Sequence, residues 1–558
     1  MPPLRIQPPD RLHGATAFSR DETVCGSLNV VRLLKSQTWV WDDLREACDL
    51  DKHWGRDRLP GNWELAMVAF LTSGHIDIQP WLRSTTDDLW RECGFDEKPG
   101  YRTTWRRLRE LEWVADAFLV AIATLVQHAK RHDSRVGAHV HFDGTEDETH
   151  AALVHDCERG QCPRRSQGHR AGAGRSGAGH RPVRQDTKTF REERQDINAL
   201  DPDQADRREA DRTPQNVEFV RVGARIVKRM KIGECWYKTL DIDAGIRAYM
   251  GPRGAKRFWH GYYNQKAVCH FTGGVLFPGI YSASGQECNL FDDVYDNTAR
   301  IIGQAPDSAI GDKGYSVASV FQKCTVNGTA PVFAWRPGGG DFKRHDKDTH
   351  DRHGVVRCKH CGGPTHFVRF HAGDQSRPED ERNPRLWVRC MLGAQPGCAN
   401  DQTISCKTDW RLLVSLWRTD PMYHELKESH SSYESVHDWW RDRYKVAADD
   451  IGIRPKVRGI HWHRLRANVA GLVEWLRICS REGWLASARR NHGEAKRGFQ
   501  ERGELIAGQL ANMRVRMGVA RAYGEKALEL GLGDRTPPSR RARGRPPDQT
   551  TLDFDTTT

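Results

Sequence analysis

No run of about 18 apolar residues, the length a helix needs to cross a bilayer, occurs in this 558-residue chain. The sequence therefore predicts no membrane span, and the apolar stretch Phe118–Val126, short and flanked by charge, reads as a buried helix. No apolar signal core follows Met1-Pro2-Pro3-Leu4-Arg5, so the expected location is the cytoplasm, on the nucleoid. A disulfide framework is not indicated: the 15 cysteines are odd in number and mostly scattered, which points to free thiols and metal ligands. An acidic surplus is lacking too. Lys and Arg total 86 against 74 Asp and Glu, a net charge of +12 with a pI near 9.0, and that balance favours an anionic partner, nucleic acid first.

The length exceeds one ordinary core, so several modules are expected. Residues 1–21 read as a disordered start. Residues 22–135 read as helical, with apolar positions at helical spacing in Leu28–Leu34, Leu65–Leu71 and Trp105–Val126. Trp105-Arg106-Arg107-Leu108-Arg109 follows Pro99-Gly100-Tyr101, with Thr103 or Thr104 as the expected N-cap. A basic helix entered through a short turn suits a helix-turn-helix reader of DNA, with Trp105, Arg106 and Arg107 against the duplex.

Residues 136–340 read as the first part of an α/β core, interrupted at 163–213. From Pro163 to Gln185 there are six arginines, no acid and one larger aliphatic residue, Val183; such composition cannot offset its ordering entropy. Order is expected again from Val217. Trp236–Tyr249 reads as strand, turn, strand; Ala267–Leu276 and Gly279–Ser284 as a hairpin; Asp292–Ile302 as helix; Ala309–Gly311 as strand; Ser316–Cys324 as helix; Pro331–Trp335 as strand. A strand meander followed by alternating helix and strand predicts a mixed sheet with helices on both faces. Residues 341–408 form a Cys- and His-rich insertion, 409–480 complete the core, 481–535 are basic and helical, and 536–558 are a disordered basic tail.

Three acids carry the chemistry. Asp143 ends the alternating run His139-Val-His-Phe-Asp143, with Gly144 expected to make the turn that leaves the carboxylate at a strand tip. Asp312 follows the apolar strand Ala309–Gly311, and Glu434 lies in a helical stretch from Tyr423 to Tyr444. Asp241 and Asp243 compete for the first position, and Glu425 and Glu428 neighbour the third. Two carboxylates from strands and one from a helix can converge on a pair of Mg²⁺ or Mn²⁺ ions, the arrangement that clamps the attacking and leaving oxygens of a phosphodiester.

A second constellation is Cys358-Lys-His-Cys361-Gly-Gly with Cys390 and Cys398. Cys-x-x-Cys before glycine makes a tight knuckle, and two distant cysteines complete a tetrahedral, structural Zn²⁺ site. Cys406 or His360 are alternatives to Cys398. Thr365–Arg369 and Leu386–Arg389 would form the hairpin of a zinc ribbon. A weaker grouping, His150, His155, Cys157 and Cys162, precedes the 163–213 insertion and reads as surface residues, a second zinc site being the alternative. In the tail, Arg541-Ala-Arg543-Gly-Arg545-Pro resembles an AT-hook, with Arg543 and Arg545 directed to a minor groove.

The order strand-Asp143-Gly-Thr, strand-Gly-Asp312-Lys-Gly-Tyr, then helical Glu434 with Arg441 seven residues on, resembles bacterial insertion-sequence transposases of the DDE type. Trp259-His-Gly-Tyr-Tyr-Asn-Gln-Lys-Ala267, His270-Phe-Thr-Gly-Gly274 and Arg454-Pro-Lys-Val-Arg458 fit the same family, over roughly residues 100–480. Where one subgroup has Arg four residues before its Glu, this chain has His430. The resemblance implies an RNase H-like core split by insertions. It implies Asp143, Asp312 and Glu434 holding two Mg²⁺, strand cleavage at the element's ends, and attack of the freed 3′-hydroxyl on target DNA by a homo-oligomer bound to DNA. Arg441 would hold a phosphate, its alternative being an intrahelical pair with Asp438; Trp439, Trp440 and Tyr444 read as core. The rival readings are a non-catalytic zinc-ribbon DNA-binding protein and an RNase H-like nuclease without strand transfer.

Overall fold

A computed structural model describes residues 27–49, 62–149, 154–156, 217–222, 225–232, 235–250, 256–283, 287–336, 354–371, 385–393, 395–405, 418–444 and 459–487, with 285, 376, 411, 416 and 446 singly. The 163–213 insertion, the residues after 487, and hence Arg543 and Arg545, lie outside the described residues, as do His150, Cys157 and Cys162 of the weaker grouping.

Among the described residues seven α-helices come first: α1 (Ser27–Ser36), α2 (Thr38–Asp49), α3 (Trp63–Thr72), α4 (Ile78–Ser84), α5 (Asp87–Glu92), α6 (Tyr101–Glu110) and α7 (Ala117–His132). In α3, Trp-Glu-Leu-Ala-Met-Val-Ala-Phe-Leu-Thr has no polar face, and the helix is buried from Glu64 to Leu71. Helix α6 begins one turn earlier than the capping threonines predict. Gly100 is its N-cap, and Thr104 is buried inside the helix with its hydroxyl on the Gly100 carbonyl, 3.1 Å away.

The strands follow: β1 (His139–Glu148), β2 (Val154–His155), β3 (Val217–Val222), β4 (Arg225–Ile232), β5 (Cys235–Thr239), β6 (Gly245–Met250), β7 (Lys256–Cys269) and β8 (Val275–Ser282). Next come α8 (Glu287–Ile302), β9 (Ser308–Gly311), α9 (Ala318–Val326), β10 (Ala330–Phe333), β11 (Thr365–His371), β12 (Arg385–Cys390) and β13 (Gln402–Ser405). The last elements are α10 (Pro421–Tyr444), α11 (Ile460–Arg481) and α12 (Trp484–Ser487). The chain is thus mixed α/β. Its main sheet runs β10-β9-β1-β7, with both β6 and β8 on β7. Strands β1, β9 and β10 are parallel to one another; β7 is antiparallel to β1, and β8 to β7. The sequence expectation of strand, turn, strand over Trp236–Tyr249 holds for the elements but not for a hairpin. Strand β5 joins the four-stranded sheet β2-β5-β4-β3, whereas β6 joins the main sheet.

One hydrophobic core runs from Val30 in α1 through the sheet to Leu485 in α12, so the helices of 27–132 share their interior with the strands. Helix α7 packs on α2, α8 and α11. Gly471 of α11 permits the close approach: a Cβ there would meet Ile122 Cδ1 at 2.9 Å. Among the described residues no helix is long and apolar enough to cross a membrane.

Strand β1 continues five residues past Asp143 to Glu148, so Asp143 sits mid-strand rather than at a tip. Gly144 makes no turn. The buried Tyr263 ring from β7 lies across its backbone, and a Cβ would overlap the tyrosine hydroxyl. Gly144→Ala is therefore expected to cost about 1–3 kcal/mol, the overpacking range, measurable as a lowered urea midpoint at unchanged m-value.

Candidate functional site

Alternation along β1 divides its side chains between two faces. Phe142 packs on Phe291 and Tyr295 of α8. His141, Asp143 and Thr145 face the other way and meet one stripe of α10. His141 Nδ1 lies 3.2 Å from His430 Nδ1, Asp143 Oδ2 lies 3.0 Å from His437 Nε2, and Thr145 Oγ1 lies 3.4 Å from Arg441 Nη2. Positions 430, 434, 437 and 441 recur at helical spacing, which puts residue 434 on the same stripe between the two histidine contacts. The Glu434 side chain itself lies outside the described residues.

The second acid arrives from the neighbouring strand. The parallel register pairs Phe142 with Gly311, so Asp143 and Asp312 are the next neighbours across a spacing of about 4.8 Å. Ile310, two residues before Asp312, packs with Tyr423 and Leu426 of α10; this face of β9 is the one α10 covers. After Gly311 the chain turns into a 3₁₀ segment, Lys313–Tyr315, capped by the Asp312 carboxylate, which accepts the Gly314 N–H at 2.6 Å. Loss of surrounding water, then the charges of Glu287 and Asp143, raise the Asp312 carboxyl above its ordinary value. Burial also acts to raise Asp143, but the hydrogen bond from His437, the charges of His437 and His430 and the Gly144 N–H outweigh it, and the carboxyl is held low.

Behind Asp143 stands a buried lysine. Lys266 is directly opposite Asp143 in the β1–β7 register, so both side chains share one face. It is fully buried, its Nζ 2.7 Å from His437 Nδ1 and 5.0 Å from the Trp440 ring centre. Burial pushes its amine down to about 7 against the pull of Asp143, Asp147 and Glu474.

Further along the strand is a second group of imidazoles. His141 Nε2 lies 2.9 Å from His270 Nδ1, and the His141 ring stacks on Tyr433 at 3.6 Å. Burial pushes His270 down to about 4, so it folds neutral. The sign follows: between 4 and the unfolded value near 6.5, the unfolded chain binds the proton and the native one does not. The contribution of His270 to stability is complete above about pH 6.5 and is lost as pH falls toward 4. Stability lost between pH 6.5 and 5 should thus shrink by about 2 kcal/mol in His270→Gln relative to wild type, as read by urea unfolding at the two pH values.

Asp241 and Asp243 have other work. Asp241 accepts from Thr149 Oγ1 at 2.5 Å, Tyr262 Oη at 2.6 Å and Gly459 N at 3.3 Å; Asp243 accepts from Ile460 N at 3.4 Å. Both therefore cap the start of α11, favourable ground for carboxylates, and it is Asp143 that stands beside Asp312. Glu287, in the first turn of α8, is a nearby acid the sequence reading missed. Its carboxylate pairs with Arg247 at 2.5 Å and acts on Asp312; its only sequence signal is an acid opening the helix after β8.

Among the DNA-directed candidates, Arg441 also pairs with Asp438 at 3.2 Å, so the intrahelical alternative and the β1 contact coexist. In α6, Arg106 is exposed, Arg107 pairs with Glu110, and Trp105 is half-buried against the core. Trp440 and Tyr444 are buried and Trp439 packs beside them, as core residues.

Four cysteines converge elsewhere. Cys358, Cys361, Cys390 and Cys398 place their sulfurs within 4.8 Å of one another, and among the described residues no other three potential metal ligands gather so closely. The knuckle closes through Cys358 N to Gly363 O and Gly362 N to Cys358 O, both 2.8 Å, with Gly362 at φ +70°. β11 pairs antiparallel with β12, Thr365 opposite Cys390, and β12 with β13. Cys398 enters from a 3₁₀ turn, Pro396–Ala399; Cys406 lies outside the described residues, and His360 packs against Gly397. The Gln402 amide donates to Cys358 Sγ at 3.0 Å and the Leu392 N–H to Cys390 Sγ at 3.4 Å, the outer hydrogen bonds that thiolate ligands take. This four-cysteine cluster can hold a structural zinc ion.

No protein-family model, curated protein or solved structure matches the chain.

Proposed function

We propose that this protein is a DDE-type DNA transposase, with an RNase H-like core carrying Asp143, Asp312 and Glu434 and a zinc-ribbon insertion between the second and third acids. The observation that carries the reading is the placement of Asp143 in β1, and of Asp312 directly after the parallel neighbour β9, beneath the α10 stripe that includes position 434. The strand order β8-β7-β1-β9-β10, with its first three strands antiparallel and its last two parallel to a central β1, supports an RNase H-like sheet. Fold alone does not assign chemistry; the acid pair and the basic balance of the chain together favour phosphoryl transfer on DNA.

The donor set fits hard cations: carboxylate oxygens without a competing thiolate. Bound Mg²⁺ or Mn²⁺ ions would supply a water of lowered pKa and neutralise charge on the attacked phosphodiester. The chain's own residues do the rest. Asp312 presents its carboxylate from a capped turn, Asp143 from a rigid strand, and Arg441, beside Thr145, offers a guanidinium to a DNA phosphate. Asp143 is held in β1 and Asp312 in the capped turn that directly follows β9, so little reorganisation accompanies binding. The test is Mg²⁺-dependent cleavage of the element's own terminal DNA, and joining of the cut 3′ end to a target, by wild type and Asp312→Asn. Binding without cleavage by wild type would replace this reading with that of a DNA-binding protein; cleavage without joining would replace it with a nuclease.

A further inference from the structure

We propose that His437 and Lys266 are positioning residues, a hydrogen-bonded relay that fixes the Asp143 carboxylate and keeps His437 itself out of the metal's ligand set. The inference rests on the metal-binding role given to Asp143 above. Its geometry is a continuous line of contacts: Lys266 Nζ to His437 Nδ1 at 2.7 Å, His437 Nε2 to Asp143 Oδ2 at 3.0 Å, and Gly144 N to Asp143 Oδ1 at 2.8 Å. An ionised carboxylate has only lone pairs to give. Opposite Asp143, His437 Nε2 must donate, so the neutral ring carries its proton on Nε2 and leaves Nδ1 to accept from the Lys266 amine. Each carboxylate oxygen then has one lone pair committed to the protein and others left for a cation.

The residues around the relay hold it in one arrangement. Lys266 is fixed in register opposite Asp143, and His437 is wedged between the two from α10, both of them buried. The lysine lies against the Trp440 ring, and the indole N–H of Trp440 donates to Glu474 at 2.6 Å. A fully buried cation is costly unless paired, and among the described residues the polar contact of Lys266 Nζ is the His437 imidazole. If Lys266 is removed, His437 is free to place its proton on Nδ1 and turn an Nε2 lone pair toward Asp143, which repels the carboxylate.

The experiment is an EPR titration of Mn²⁺ into the full-length protein without DNA, for wild type, Asp143→Asn, His437→Leu, His437→Gln and Lys266→Met, with ¹⁵N shifts of His437 recorded in wild type and Lys266→Met. Expected are Mn²⁺ binding by wild type and its loss in Asp143→Asn. His437→Leu and Lys266→Met should weaken it by about 10-fold or more, the usual consequence of losing an outer-shell partner. His437→Gln, whose amide can both accept from Lys266 and donate to Asp143, should recover most of the affinity, which a merely structural role would not predict. The His437 shifts should report the Nε2-protonated ring in wild type and not in Lys266→Met. Wild-type affinity in His437→Leu alongside loss in Asp143→Asn would overturn the relay and leave the metal site standing. Equal Mn²⁺ binding by wild type and Asp143→Asn would remove the metal role of Asp143 and the relay with it.

Discussion

Asp312→Asn leaves binding to terminal DNA unchanged and lowers Mg²⁺-dependent strand cleavage by about 10³-fold or more. The size follows from what the group does: a ligand oxygen lost from a metal pair removes several kcal/mol of transition-state stabilisation, and each 1.36 kcal/mol is a factor of ten. The variant is chosen because its fold is protected. Among the described residues the hydrogen bond of Asp312 is the Gly314 N–H at 2.6 Å, which an asparagine oxygen accepts equally well as a cap. Thermal unfolding should therefore move by no more than a degree or two. Asp241→Asn is the contrasting control. That carboxylate is buried on Thr149, Tyr262 and Gly459, so its loss should lower stability, with any loss of cleavage tracking the fraction unfolded. A gel reading both binding and nicking, at matched protein concentration, separates the cases. Equal cleavage by wild type and Asp312→Asn would remove Asp312 from the chemistry.

What the sequence made legible depends on whether the signal was local. His430, Glu434 and Arg441 were legible at helical spacing, though His437 on the same stripe was missed, and the strands β9 before Asp312 and β10 were placed to within a residue or two because short apolar runs end in turn residues. Cys358 and Cys361 were legible from the knuckle, and Cys390 as a distant cysteine completing the set. Cys398 was not separable from Cys406 or His360, since spacing does not say where a loop returns. Gly144 misled because a glycine after aspartate most often turns; here the reason for it is Tyr263, on another strand, which no local rule contains. Lys266 and Glu287 were invisible for the same cause. Their significance comes from register and from the β8-to-α8 connection, which set Lys266 opposite Asp143 and Glu287 near Asp312. Asp241 and Asp243 look like site acids in sequence and become caps only once α11 arrives from 200 residues away.

Removing one cysteine of the four-cysteine cluster should have the largest structural effect. Among the described residues the cysteines form a small cluster of their own in this insertion, Cys358, Cys390 and Cys398 buried and Cys361 half-buried against them, while Val356 and Val388 join the main core. A segment of that size rarely holds its shape without a metal or a covalent staple. The sulfurs also compete for charge when no cation is present. Against the burial that would raise it, the N–H groups of Cys361 and His360 hold the Cys358 thiol down at about 6, and the Gly393 and Leu392 N–H groups lower Cys390, while Cys361 and Cys398 are raised. A dication resolves that conflict by making thiolates of all four. The expected results are about one zinc per chain in wild type, and about a tenth of that or less in Cys358→Ser or Cys390→Ser. Amides of residues 365–371 and 385–390 should lose hydrogen-exchange protection in these variants, while those of β1 and β9 keep theirs, because β1 and β9 pair within the main sheet and β11, β12 and β13 form a sheet of their own. Cys93→Ser should change neither zinc content nor exchange in the insertion, since that buried thiol belongs to the helical core. Full zinc content in Cys358→Ser would show that the cluster is not the binding site, and unchanged protection after complete zinc loss would show that the metal does not hold the insertion together.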